Sequence, residues 1–467
     1  MSAGDTSSIL PNPLSSAALA RPDHLAVLHD GERTTYRTLD VLAGRIAAGL
    51  RRRGLGPGSV VALDGAPSTS WIAALHAVGR VGAAAAPLDA RASPLERAQA
   101  RSVLRADCTL GVDREDADLQ VSSLLEPAPL GEERFWPLEE TRLVLLTSGT
   151  TGSPRRVEIT TGQIVFSALG SAVRLGHHLD DRWLACLPLH HIGGLMVLFR
   201  SALLATSVHL FARFDAAAAA RAIDRGEVSL ASFVPAMMER VLDARPPAPF
   251  PPSLRAILLG GDRTPPALAE RLRAIEAPVS LTWGMSECAS QIATQFPGEL
   301  SLDHVGPPLP FARVGVREGR LEVRGPIAPR GVLLTGDRGS IRPEGTVEVH
   351  GRADEIFISG GENVDPASIE VALASHPDVA SALVVALPDR AWGQRPHALV
   401  VPRGSARPDL VSFCKNQLPP AAVPETIHWV DALPLGTTGK PSREEARRLI
   451  TLASPTAPAL ASPEEAA

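Results

Sequence analysis

"LLTSGTTGSPRR", residues 145–156, sets five hydroxyl side chains and two glycines between a hydrophobic run and two arginines. The LVLL that leads into it reads as a buried strand and the VEIT that follows as a second, β-branched one, so the polar run is a loop between strands. Hydroxyl donors and glycine-freed backbone N–H groups in one short loop suit an anion with many acceptor oxygens, above all a phosphate. A Walker loop would need GxxxxGK[ST], with a lysine reaching the phosphates. Here Arg155 and Arg156 follow Pro154, and that class is excluded.

Outward from this loop, residues 35–290 alternate helical patterns such as LDVLAGRIAAGLRRRG with short apolar strands such as VVALDG, LACLP and AILLGG. That alternation predicts layered α/β structure with largely parallel sheets. After Val305 the texture changes to short strands punctuated by Gly and Pro, which predict a small antiparallel or barrel-like region. From Ile356 a helix start (DPASIEVALASH), strands (SALVVALP, HALVVP) and two further helices predict a compact α+β unit.

The 467 residues are 45% hydrophobic and carry 46 basic against 51 acidic side chains. This describes a globular chain of two or three domains at roughly 100 to 200 residues each. The charge balance argues against a nucleic-acid surface, which would be strongly basic on one face. Cys108, Cys186, Cys288 and Cys414 are scattered without a CxxC pair, so neither a disulfide framework nor a zinc site is indicated. No apolar run reaches about 18 residues, and the start MSAGDTSSILPNPLSS lacks the pattern of a signal peptide. The expectation is a cytoplasmic protein without membrane insertion; a homo-oligomer is left open. The closing TLASPTAPALASPEEAA is poor in large apolar residues, which predicts a disordered tail over 451–467.

Four further stretches carry chemistry. "LTWGMSECASQ", residues 281–291, sets an aromatic, Trp283, before Gly284, then a hydroxyl, Ser286, and a carboxylate, Glu287. "LLTGDRGSI" contains Asp337 after Thr335 and Gly336. "GRADEIFISGGENVDPASIE" spans residues 351–370, and "LPLGTTGKPSREE" holds Lys440. Taken alone, the first reads equally well as a capped loop, the second as a turn and the last as a surface lysine, whereas the 351–370 string is the most specific and very unlikely by chance. Together and in order, with TSGTTG at 147–152, they make the chain resemble the adenylate-forming superfamily of acyl-CoA synthetases, peptide-synthetase adenylation domains and luciferases. The resemblance runs from TYRTLD at Thr35 to about Ile450.

The resemblance implies a fold and a set of roles. The large N-terminal domain would span 1–353, and a small mobile C-terminal lid 354–450, with the hinge at Asp354. Thr147, Ser148, Gly149, Thr150, Thr151 and Gly152 would cradle phosphate. Gly260 and Gly261 would pass close to adenine, Trp283 and Gly284 would lie against it, and Ser286 would meet the nucleotide phosphate. Glu287 would help hold magnesium, and Asp337 and Arg352 would bind ribose. Gly360 and Gly361 would lie against the pantetheine arm. Lys440 would bridge carboxylate and α-phosphate, and His191 would stand at the mouth of the acyl pocket.

The co-substrates implied are ATP with Mg2+, coenzyme A and a small carboxylic acid. LPLHHIGGLMVLFRSALL and GMSECASQIAT resemble most closely the o-succinylbenzoate:CoA ligases of menaquinone biosynthesis. Such an acid has a second carboxylate, for which Arg200, Ser290 and Gln291 are the candidate partners. Another aryl- or fatty-acyl-CoA ligase stays open, as do an adenylation domain and a non-catalytic nucleotide-binding homologue. The sequence departs from the family pattern at Arg155 for the usual lysine, at His190 for an aromatic, and at Val332–Leu333 ahead of the TGD motif.

Overall fold

The computed structural model describes residues 9–125, 135–148, 154–436 and 440–453. The chain divides into two compact units between Val349 and His350, a few residues before the boundary expected at 353/354.

The first unit is built on a six-stranded and an eight-stranded sheet. In the larger, Leu25–His29, Ser207–Leu210, Arg182–Ala185, Leu230–Phe233, Ala256–Gly260 and Val279–Met285 lie side by side in parallel. Antiparallel strands, Glu32–Thr35 and Ser290–Thr294, close its two edges. The central strands are almost continuously buried, as in Leu230–Phe233, because helices cover both faces. Those helices are locally encoded. Tyr36–Arg52 starts where the Thr35 side chain accepts from the Thr38 N–H and buries Leu39, Ala43, Ile46, Ala47 and Leu50. It stops before Gly54, whose φ is +76°, a conformation open to glycine.

The region after Val305 is a four-stranded sheet in chain order, Arg313–Arg317, Arg320–Arg324, Val332–Ile341 and Val347–Arg352. Its Val314, Leu321, Val323 and Val347 share one apolar cluster with Trp283, Cys288 and Ile292. That cluster ties the sheet to the end of the strand Val279–Met285.

In the second unit, Val379–Asp389, Gly393–Pro402 and Thr426–Trp429 form a three-stranded sheet. The helix Pro366–Ala374 begins at Asp365, whose carboxylate accepts from the Ala367 N–H, with proline in its first turn. The terminal helix runs Arg443–Ala453, three residues past the expected start of a disordered tail at 451; residues 454–467 lie outside the described residues. Among the described residues no helix is long and apolar enough to cross a membrane.

Candidate active site

The stretch expected to cradle phosphate is flanked by two paired strands. Thr141–Ser148 and Pro154–Thr160 pair antiparallel with Ser148 opposite Pro154 and Thr147 opposite Arg155. The loop is therefore shorter than the quoted stretch, since its flanking residues belong to the ladder. Gly149, Thr150, Thr151 and Gly152 lie outside the described residues. Of the two arginines, Arg156 is used by the fold: it pairs with Glu158 and donates through Nε to the Leu104 carbonyl at 3.1 Å. Arg155, at the position of the usual lysine, is exposed.

Gly260 ends one parallel strand and Trp283 lies near the end of its neighbour, so both sit at the carboxyl edge of the large sheet, where α/β folds bind ligands. A Cβ on Gly260 would come within 2.5 Å of Thr282 Cγ2, and Gly261 has φ +87°; both positions need glycine. Trp283 is 8% exposed, and its indole Nε1–H donates to Asp337 Oδ2 at 2.7 Å. The aromatic and the carboxylate expected at adenine and ribose are thus joined across 54 residues of chain. Asp337 is further fixed by its own N–H, which donates to Thr335 Oγ1 at 3.1 Å.

The turn that carries Glu287 is strained. Ala289 and Ser290 have φ of +52° and +92°, left-handed values that side-chain-bearing residues rarely adopt and that gather at functional sites. A Cβ on Gly284 would stand 1.8 Å from the Ser290 carbonyl oxygen, so the bulge at Trp283/Gly284 admits only glycine. Gln163 and Ser167 hold the turn from outside. The Gln163 Nε2–H donates to the Glu287 carbonyl at 2.7 Å and the Ile327 carbonyl at 3.0 Å, and Ser167 Oγ donates to the Ala289 carbonyl at 2.7 Å. Glu287 and Ser286 are half-buried oxygen donors on adjacent residues, a set that suits a hard cation sharing phosphate oxygens.

His191 is the N-cap residue of the helix Ile192–Leu204. Its ring lies 4.0 Å from that of His190, and His190 Nε2 is 3.7 Å from Asp89 Oδ2. Arg200 is on the same helix, nine positions on, hence about 13 Å away along the axis. It is 2% exposed, its guanidinium lies 5.1 Å from the Trp183 ring, and it faces a cavity with room for about one water. Among the described residues its Nε and Nη2 have no hydrogen-bond partner. Burial pushes its pKa down to about 9, which leaves it charged at neutral pH. Gln291 is buried with Nε2 donating to Thr294 Oγ1 at 3.0 Å, and Ser290 is half-buried. Among the described residues neither is hydrogen-bonded to Arg200.

The remaining candidates belong to the second unit. Arg352 grips Asp354 with two bonds, 2.9 and 2.7 Å. Gly360 and Gly361 are the two loop residues of the hairpin Phe357–Ser359/Glu362–Val364, with φ of +57° and +87°. Two positive φ values in a two-residue loop are the signature of a type I′ turn. A Cβ on Gly360 would also collide with Trp392 at 2.3 Å. Lys440 is exposed; its carbonyl accepts from the Gly436 N–H at 2.8 Å, and Leu435 and Pro441 form an antiparallel bridge around it.

Residues 14–339 match the AMP-binding enzyme family, and residues 368–440 match the AMP-binding enzyme C-terminal domain. The chain belongs to the AMP-binding enzyme family. It is 34% identical to the 2-succinylbenzoate–CoA ligase of Geobacillus kaustophilus, over 94% of this chain and 98% of that one. Among solved structures it resembles o-succinylbenzoate CoA synthetase from Bacillus subtilis in complex with the acyl-adenylate intermediate, with a TM-score of 0.84 and 31% identity over 94% of this chain and 98% of that one. The same enzyme in complex with ATP and magnesium ion gives 0.83 and 30%, over 94% and 100%.

As a member of the AMP-binding enzyme family the chain keeps its motifs in order, but three devices that position them escaped the sequence. They are the indole N–H on Asp337, the Gln163 and Ser167 brackets on the Glu287 turn, and a charge cluster around Arg443. Only Gln163 had a local signal. Thr160-x-x-Gln163 is a capping box, with the Thr160 N–H donating to Gln163 Oε1 at 3.0 Å.

Proposed function

We propose that this chain is an ATP-dependent, AMP-forming acid:CoA ligase whose acid is o-succinylbenzoate, working in the cytoplasm. One carboxylate oxygen of the acid attacks the α-phosphorus of ATP and pyrophosphate leaves. The thiol of coenzyme A then attacks the acyl carbon, AMP departs with that oxygen, and the thiol proton passes to solvent. The chain's part is positioning and electrostatics; no side chain has to become acylated. Asp337 and Arg352 hold the ribose, and Trp283 lies at the adenine. Residues 147–152 and Ser286 take the phosphates. Magnesium, held through Glu287, supplies charge neutralisation on the phosphate oxygens when bound. Lys440 bridges carboxylate and α-phosphate in the first half-reaction. Asp354 serves as the pivot of the lid, and Gly360 and Gly361 pass the pantetheine arm.

The observation that carries the choice of acid is Arg200. A buried guanidinium lacking hydrogen bonds at Nε and Nη2 is costly, and a second carboxylate relieves that cost. His191 stands at the start of the same helix. Thioester formation with o-succinylbenzoate, benzoate, 4-phenylbutyrate and medium-chain fatty acids tests this reading. o-Succinylbenzoate should have the highest kcat/KM, and Arg200→Leu should lower it by about 1 to 3 kcal/mol while changing the KM for ATP little. Preference for a monocarboxylate would overturn the choice of acid.

A further inference from the structure

Arg443 stands three residues after Lys440, as the first residue of the terminal helix Arg443–Ala453, and its guanidinium gathers three separate segments of the second unit. Nη1 pairs with Glu370 Oε1, on the helix Pro366–Ala374, and donates to the Val384 carbonyl at 2.8 Å. Nη2 donates to Glu355 Oε2 at 3.1 Å and to Glu370 Oε2 at 3.3 Å. Glu370 Oε1 also accepts the Val384 N–H at 2.8 Å. The side chains of Arg443 and Glu370 are 18% and 19% exposed, so the cluster is largely out of water. Burial raises the pKa of Glu370 and the arginine opposes that rise; the paired carboxylates hold the guanidinium well above its usual range. Glu355 directly follows Asp354, the pivot in the reading above.

Lys440 and Ser442 are also hydrogen-bonded to their neighbours. The Gly436 N–H donates to the Lys440 carbonyl, the Ser442 N–H donates to the Pro434 carbonyl, both at 2.8 Å, and Ser442 Oγ accepts from the Glu445 N–H at 3.2 Å. Residues 440–443 are thus hydrogen-bonded back to residues 434–436 and forward into the first turn of the helix. We propose that Arg443 is a positioning residue that locks the Lys440 segment to the turn at Glu355, so that rotation at the pivot carries Lys440 with it. This rests on the assignment of Lys440 and Asp354 made above. A planar fork fixes direction as well as distance, which a lysine at the same place would not.

The test separates the two half-reactions in the full-length enzyme, reading ATP–pyrophosphate exchange with o-succinylbenzoate and thioester formation from supplied acyl-adenylate. Arg443→Lys keeps the charge and loses the fork. Its kcat for exchange should fall about 100-fold, the effect of a displacement near 1 Å at a reacting group. KM values and the second half-reaction should stay within about threefold. Glu355→Gln should shift exchange in the same direction by less. Equal loss of both half-reactions, or loss of neither, overturns the proposal. So does failure of Arg443→Lys to fold, because the cluster would then be a folding element alone. Lys440→Ala is measured alongside. If it leaves exchange intact, the assignment of Lys440 fails; if it abolishes exchange while Arg443→Lys does not, only the role given to Arg443 fails.

Discussion

Asp337 in the large unit and Glu370 in the small one are both largely buried carboxylates, and one nitrogen donor on each shows how differently such a group can be oriented. Asp337 receives a neutral indole N–H from Trp283 at 2.7 Å. Glu370 receives the guanidinium of Arg443 together with the Val384 N–H. An indole N–H orients a carboxylate oxygen without adding charge to the site. A guanidinium neutralises the charge and consumes its acceptor sites in structure. The first contact ties an aromatic ring to a carboxylate; the second builds a joint between three segments.

The contact between Trp283 and Asp337 is most easily lost through Gly284. Gly284→Ala would push a methyl group into the Ser290 carbonyl, 1.8 Å from the ideal Cβ position, and would displace Trp283 from Asp337. Urea unfolding should show a loss of about 3 kcal/mol, the upper range for overpacking, together with a raised KM for ATP. A stable protein with an unchanged KM would mean that the bulge does not set Trp283. Trp283→Phe is gentler, since it keeps an aromatic face and removes only the N–H. Losing one hydrogen bond to a charged group should weaken ATP use by about 2 kcal/mol and leave the KM for o-succinylbenzoate nearly unchanged; equal effects on both would show Asp337 to be a scaffold residue. Asp354→Asn should matter least for stability. Its ion pair with Arg352 has side chains 40% and 34% exposed, so chemical denaturation should register under about 1 kcal/mol. A larger loss would place this exposed pair in the same class as the Arg443 cluster.

Much of the fold was legible because its signals are local. Thr35 ahead of an apolar stripe, Asp365-Pro366 ahead of another, and the apolar runs at 60–64 and 256–260 each gave the element that forms there. The glycine pair 360–361 was also legible, yet its meaning divided. A close approach to a ligand was inferred where a type I′ turn and the packing of Trp392 already require glycine. What escaped is long-range. Trp283 was read as a stacking ring, and nothing within 54 residues of chain shows that its N–H meets Asp337. Arg443 was part of a lysine motif, and its partners lie 73 and 88 residues away. Arg200 was legible as a candidate, but its burial without hydrogen bonds at Nε and Nη2, the property that favours a second carboxylate, appears only in three dimensions.

Activation of the acid as an acyl-adenylate fixes where each carboxylate oxygen ends up. With o-succinylbenzoate labelled by oxygen-18 in the succinyl carboxylate, turnover with ATP and coenzyme A should place one labelled oxygen in AMP, read by mass spectrometry, and none in pyrophosphate. Label recovered in inorganic phosphate with ADP as the nucleotide product, or AMP free of label, would contradict the acyl-adenylate route.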